Sequence, residues 1–111
     1  MNELAGKQCV ACRADAPQAT REEREKFMQQ LPEWTIIEAE GMDRLTRTFK
    51  FKNFVEALRF TNQVGEIAEQ ENHHPALLTE WGKVSVTWWT HKIRGLHVND
   101  FVMAAKTEEL I

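Results

Sequence analysis

Apolar residues along this chain switch between two spacings. Some recur at every second position, as in a half-buried strand, and others at every third or fourth, as in a helix lying on a sheet. The run TREEREKFMQQL from Thr20 predicts a short helix. Thr20 and Glu23 have capping-box spacing, and Phe27, Met28 and Leu31 form the apolar stripe. Pro32 ends it, because the residue before a proline disfavours the α conformation. Trp34 to Ile37 (WTII) reads as a strand and Glu40-Gly41 as a turn. Arg44 to Phe51 (RLTRTFKF) reads as a second strand, with Leu45, Arg47, Phe49 and Phe51 on one side. Arg47 interrupts that side, which places it at the sheet rim or reaching outward.

Asn53 opens NFVEALRFTNQVGEIAEQE, predicted as one long helix with Asn53 and Glu56 at N-cap spacing. Phe54, Ala57, Leu58, Thr61, Val64, Gly65 and Ala68 are expected to face the sheet. Phe60 and Ile67 are expected to form a second stripe suited to a subunit contact. Gly65 costs about 1 kcal/mol relative to alanine in a helix interior, which a close approach by another element would explain. Asn72 suits the left-handed position that closes a helix.

After His73-His74-Pro75, Leu77 to Glu80 reads as a short strand, Trp81-Gly82 as a turn, and Lys83 to Thr90 (KVSVTWWT) as the strongest strand. Val84, Val86 and Trp88 share one face; Ser85, Thr87 and Trp89 share the other. Trp89 on a mostly polar face is either covered, by a ligand or another subunit, or simply half-exposed. Asn99 is the expected N-cap of a last helix, DFVMAAKTEEL. The order α-β-β-α-β-β-α predicts an α+β fold: a four-stranded antiparallel sheet with three helices on one face. Residues 1–19 are expected to form a mobile arm, and residues 20–111 a single domain. The edges of so small a sheet invite pairing with another copy.

Composition narrows the function classes. A net charge of −3 lacks the basic excess of a general nucleic-acid binder. No apolar run approaches the roughly 20 residues that span a bilayer, and the first residues lack the apolar core of a signal peptide. The expected location is therefore the cytoplasm, where thiols stay reduced. Cys9 and Cys12 form a lone CxxC without a second pair to complete a zinc site or a preceding strand to build a redox motif. They read as two thiols on the arm.

The candidate chemistry lies between Glu69 and Asp100. His73, His74 and His91 fall in this tryptophan-rich stretch, with the two acids bracketing them. Imidazole, with an ordinary pKa of about 6.5, both gives and takes protons near neutrality. The reading is proton transfer around a flat, apolar substrate, provided that folding brings the corner after the long helix to the end of the last strand. Pro75 holds His74 extended, so the adjacent rings diverge and do not chelate one metal from a regular strand. Glu69 is placed either to accept an imidazole N–H or to stand as a solvated helix charge, and Asp100 as a first-turn carboxylate. His97 reads as a surface residue without a partner.

The pattern Glu69-x3-His73-His74-Pro75-x5-Trp81-x9-His91-x8-Asp100 resembles the signature of the pterin-4a-carbinolamine dehydratases. GLHVNDF, Trp34, Phe49 and the run Phe51-Lys52-Asn53-Phe54 match other parts of the family, so the resemblance spans roughly Leu31 to Leu110. WGKVSVTWWTH and the Cys-bearing arm resemble bacterial members associated with phenylalanine hydroxylase. One departure is Asn99, where many members carry arginine. The resemblance implies dehydration of 4a-hydroxytetrahydropterin to quinonoid dihydropterin and water. This recycles the pterin of an aromatic amino acid hydroxylase without a metal or redox cofactor. It implies His73 and His91 as the main acid–base pair, with His74 binding pterin and sharing in proton transfer. It further implies Glu69, Pro75, Trp34, Thr90 and Asp100 as substrate-binding or supporting residues. A homodimer or homotetramer is implied, with no nucleic-acid or membrane partner. Some animal members act instead as dimerisation cofactors of a transcription factor, the alternative reading. On this view, replacing His73 by alanine should slow the reaction and leave the fold alone.

Overall fold

The computed structural model describes residues 4–6 and 17–111; Cys9 and Cys12 lie outside the described residues. Helix α1 (Arg21–Gln30) starts as its sequence predicts: Glu23 N–H donates to the Thr20 hydroxyl and Thr20 N–H to the Glu23 carboxylate. Strands β1 (Thr35–Ala39) and β2 (Met42–Lys50) form a hairpin. Its turn residues Glu40 and Gly41 both have positive φ, 55° and 74°, the geometry that matches strand twist in a two-residue hairpin. The long helix α2 (Phe54–Glu71) is capped by the Asn53 side chain and closed by Asn72 at φ 51°. Strands β3 (Ala76–Glu80) and β4 (Lys83–Trp88) form the second hairpin, and α3 (Val98–Glu108) ends the fold. The sheet is antiparallel in the order β1-β2-β4-β3, with the helices on one face.

The inner face of β4 explains why this strand sits at the centre. Val84, Val86 and Trp88 are fully buried beside Leu45 and Phe49 of β2 and under Phe101 to Ala105 of α3. The outer face carries short hydroxyls that bond across the strands, Thr46 to Thr87 and Thr48 to Ser85, each at 2.9 Å. Arg47 stays at the rim of the inner side, where its guanidinium meets Glu108 at 2.8 Å and lies over the Phe49 ring. Of the N-terminal stretch, Ala5 is buried and its carbonyl accepts from Lys106, while Ala19 N–H bonds the Leu96 carbonyl. No described helix is long and apolar enough to cross a membrane.

Three expectations change. Helix α2 is rotated: Ala57, Phe60, Val64 and Ala68 are buried and Ile67 packs against the core, whereas Phe54 and Leu58 are each 44% exposed. The cause is aromatic. Phe60 sits 4.8 Å from Phe49 and 5.0 Å from Phe51, ring to ring, so the large side chain takes the inner position and Leu58 turns outward. Helix α3 begins two residues early, with His97 rather than Asn99 as N-cap. Gly65 faces no close neighbour, since an added Cβ would meet nothing within 4 Å. Gly65→Ala is therefore expected to raise stability by about 0.5–1 kcal/mol, seen as a higher urea midpoint at unchanged slope.

Candidate active site

Asn72 delivers the first histidine. With this residue left-handed, His73 N–H reaches back to the Ala68 carbonyl at 3.1 Å and the chain turns under the end of α2. The His73 side chain is thereby carried inward, to 7% exposure. Its ring lies parallel to the Trp88 indole, 7° between planes with centroids 5.8 Å apart. Its Nε2 stands 2.6 Å from Asp100 Oδ1.

Asp100 is the hub. The carboxylate is fully buried, yet it has several donors: His73 Nε2 on one oxygen, and on the other the Thr90 hydroxyl at 2.8 Å and His97 N–H at 2.9 Å. A buried carboxylate is tolerable only with such partners. With Asp100 ionised and the ring neutral, Nε2 carries the His73 proton and Nδ1 the lone pair. The corner after α2, the end of β4 and the start of α3 thus meet at one side chain.

His97 is not the partnerless surface residue expected from the sequence. It is buried, and its Nδ1 accepts Asn99 N–H at 3.0 Å, completing a capping box with Asp100 in which imidazole stands where serine or threonine usually does. The His97-x-x-Asp100 spacing was the available signal.

The other two imidazoles lie outward. His91 opens a 3-10 turn (His91–Ile93) and is exposed, its ring 4.6 Å from the Trp89 ring. The turn is fixed by paired backbone bonds between Thr90 and Gly95, at 2.9 and 3.3 Å. His74 is exposed and its Nε2 is 3.4 Å from Glu69, itself largely solvated, a contact of small energetic weight. Glu69 therefore faces His74, not His73. The β3–β4 register pairs Ala76 with Thr87; continued past the ladder, it sets His74 opposite Trp89 and His73 opposite Thr90. His73 is thus buried beside Trp88 and Thr90, whereas His74 and His91 are exposed, His91 against the Trp89 ring. Pro75, immediately before β3, is half-buried.

Trp34 is elsewhere. It is buried against Phe49, and its indole N–H bonds Glu108, eight residues along α3 from Asp100, about 12 Å at helical rise.

Comparisons with known proteins bear on the family of the whole chain. The family model for pterin 4 alpha carbinolamine dehydratase matches residues 17–110. A protein of Marinobacter nauticus named "Putative pterin-4-alpha-carbinolamine dehydratase" is 56% identical over 110 residues, 99% of each chain. One of the same name from Syntrophotalea carbinolica is 55% identical over 111 residues, covering 100% of this chain and 99% of its own. Among solved structures, the "transcriptional coactivator/pterin dehydratase" of Brucella melitensis superposes with a TM-score of 0.75 at 32% identity, over 85% of this chain and 98% of that one. The chain belongs to the pterin-4a-carbinolamine dehydratase family.

Proposed function

We propose that this protein dehydrates 4a-hydroxytetrahydropterin to quinonoid dihydropterin by histidine acid–base catalysis. The observation that carries the reading is the buried His73–Asp100–Thr90 network, where the two halves of the histidine pattern meet. The reaction breaks the C4a–O bond and removes the N5 proton. One group protonates the departing hydroxyl, which leaves as water, and another takes the proton from N5. Asp100 fixes the tautomer of His73, so that Nδ1 is the nitrogen available to exchange a proton. His91 supplies the second exchanging ring, and exposed His74, beside Glu69 and Pro75, binds the pterin and shares in proton transfer. Trp34 supports the site through the sheet and α3.

In the cell, this activity would serve an aromatic amino acid hydroxylase, in phenylalanine breakdown in the cytoplasm. The working form would be a homodimer or homotetramer, with neither nucleic acid nor membrane as partner; β1 and β3, the sheet edges among the described residues, and the exposed Phe54, Val55 and Leu58 of α2 offer contact surfaces. A second reading, a protein-binding coactivator module, draws on the name of the Brucella protein and on that apolar patch.

The test generates 4a-hydroxytetrahydropterin in situ with an aromatic amino acid hydroxylase and follows quinonoid dihydropterin by absorbance. The protein is expected to accelerate dehydration well above the spontaneous rate, and His91→Ala to lower kcat about 10²-fold. A reaction no faster with protein than without it would leave the coactivator reading.

A further inference from the structure

Beside His91 lie two side chains, Trp89 and Arg44, that the acid–base reading does not use. One residue beyond the Leu45–Trp88 pair, Arg44 of β2 meets Trp89, and its guanidinium carbon lies 4.1 Å from the indole ring centroid. The same indole also touches His91, with ring centroids 4.6 Å apart and ring planes 47° apart. Arg44 is itself held by the hairpin turn, donating to the Ala39 carbonyl at 3.2 Å with Glu40 at 3.9 Å. The order from the turn outward is Ala39 carbonyl, guanidinium, indole, imidazole.

Polar satisfaction does not account for these contacts. Arg44 Nε and Trp89 Nε1 are both buried without a hydrogen-bond acceptor among the described residues. Trp89 is only 8% exposed and the Arg44 side chain 15%. Two such donors are a liability in a sheet that could seat an aliphatic residue at the same place. What the stack secures is orientation. An exposed imidazole on a short 3-10 turn otherwise samples several rotamers, and ordering it at the moment of reaction slows the step. A planar guanidinium suits the task better than a lysine ammonium, since it lies flat on an indole while its N–H groups reach the turn.

We propose that Arg44 is a positioning residue for the dehydration, acting through Trp89 to hold the His91 ring in its working orientation. The proposal rests on the reading of His91 as a proton-transfer group. At a centroid distance of 4.6 Å, the indole ring current is expected to shift the imidazole protons, a signal that reports the contact.

The experiment measures kcat, KM and the His91 ring proton shifts in Arg44→Ala, Trp89→Leu and Trp89→Phe proteins, and repeats Arg44→Ala in a His91→Ala background. Arg44→Ala is expected to lower kcat roughly tenfold with little change in KM, and to move the His91 ring signals toward free imidazole positions. Trp89→Leu should do the same. Trp89→Phe keeps an aromatic face and discards an unpaired N–H, so it should recover most of that loss without lowering the melting temperature. In the His91→Ala background, Arg44→Ala should cost nothing further. An equal loss in both backgrounds, or His91 signals unmoved by Arg44→Ala, would overturn the clamp. A slow His91→Ala protein beside a fast Arg44→Ala protein would overturn the clamp alone. A His91→Ala protein as fast as the parent would overturn the acid–base role of His91, and the clamp with it.

Discussion

His73→Gln is expected to slow dehydration by about 10²–10⁴ while the protein keeps its fold. Glutamine retains a side-chain N–H that can donate to Asp100 but has no basic nitrogen to exchange a proton. The alanine variant is a poorer probe than the sequence suggests. His73 is buried, donates to a buried carboxylate and lies flat against Trp88. Removing the ring takes one donor from Asp100, at about 1–3 kcal/mol, and the ring contact, at about 0.5–1.5 kcal/mol. A slow His73→Ala enzyme would thus mix chemistry with loosening. Steady-state rates on both variants, each paired with a urea titration, separate the two. A His73→Gln protein with the parent's rate would remove His73 from the mechanism.

Asp100→Ala is expected to give the largest stability loss of any single change at the site, about 3–5 kcal/mol. Three donors from three segments lose their acceptor together: His73 Nε2, the Thr90 hydroxyl and His97 N–H. The first turn of α3 also loses the acid of its capping box. Single domains of this size hold only about 5–15 kcal/mol in total, so the urea midpoint should fall by a large fraction. Asp100→Asn preserves volume and separates the effects. Its one carbonyl oxygen still accepts, but its NH₂ group confronts a donor on the other side, so stability should fall less while the tautomer of His73 is no longer fixed. A midpoint unchanged in Asp100→Ala would mean that the hub is not what joins the three segments.

Much of this was legible in the chain. Both spacings, the Thr20 capping box, the Asn53 cap and the Asn72 closure each had a local chemical cause, and each formed where that cause lay. The inner face of β4 followed from alternation alone. What could not be read were outcomes decided by partners distant in sequence. Whether Phe60 or Leu58 faces the sheet depends on where Phe49 and Phe51 place their rings. Whether α3 starts at His97 or Asn99 depends on an imidazole acting as a cap, a role that spacing permits but composition does not suggest. The Asp100 network joins the α2 corner to the end of β4; that His73 is buried while His74 and His91 are exposed depends on packing that no local pattern reports. Arg44 carried no signal, because its partner lies 45 positions away.

The neighbouring tryptophans of β4 give the site an unusual dependence on pairing. Trp88, the last residue of the strand, lies against the buried imidazole of His73, and the next residue, Trp89, against the exposed imidazole of His91. Sliding β4 by one residue would exchange those supports and bury the wrong ring, although the same hydrogen-bond ladder could still close. On the proposed mechanism, a chain compact but out of step would possess every proton-transfer group and still be inert, so turnover would vouch for the alignment of the sheet to the single residue.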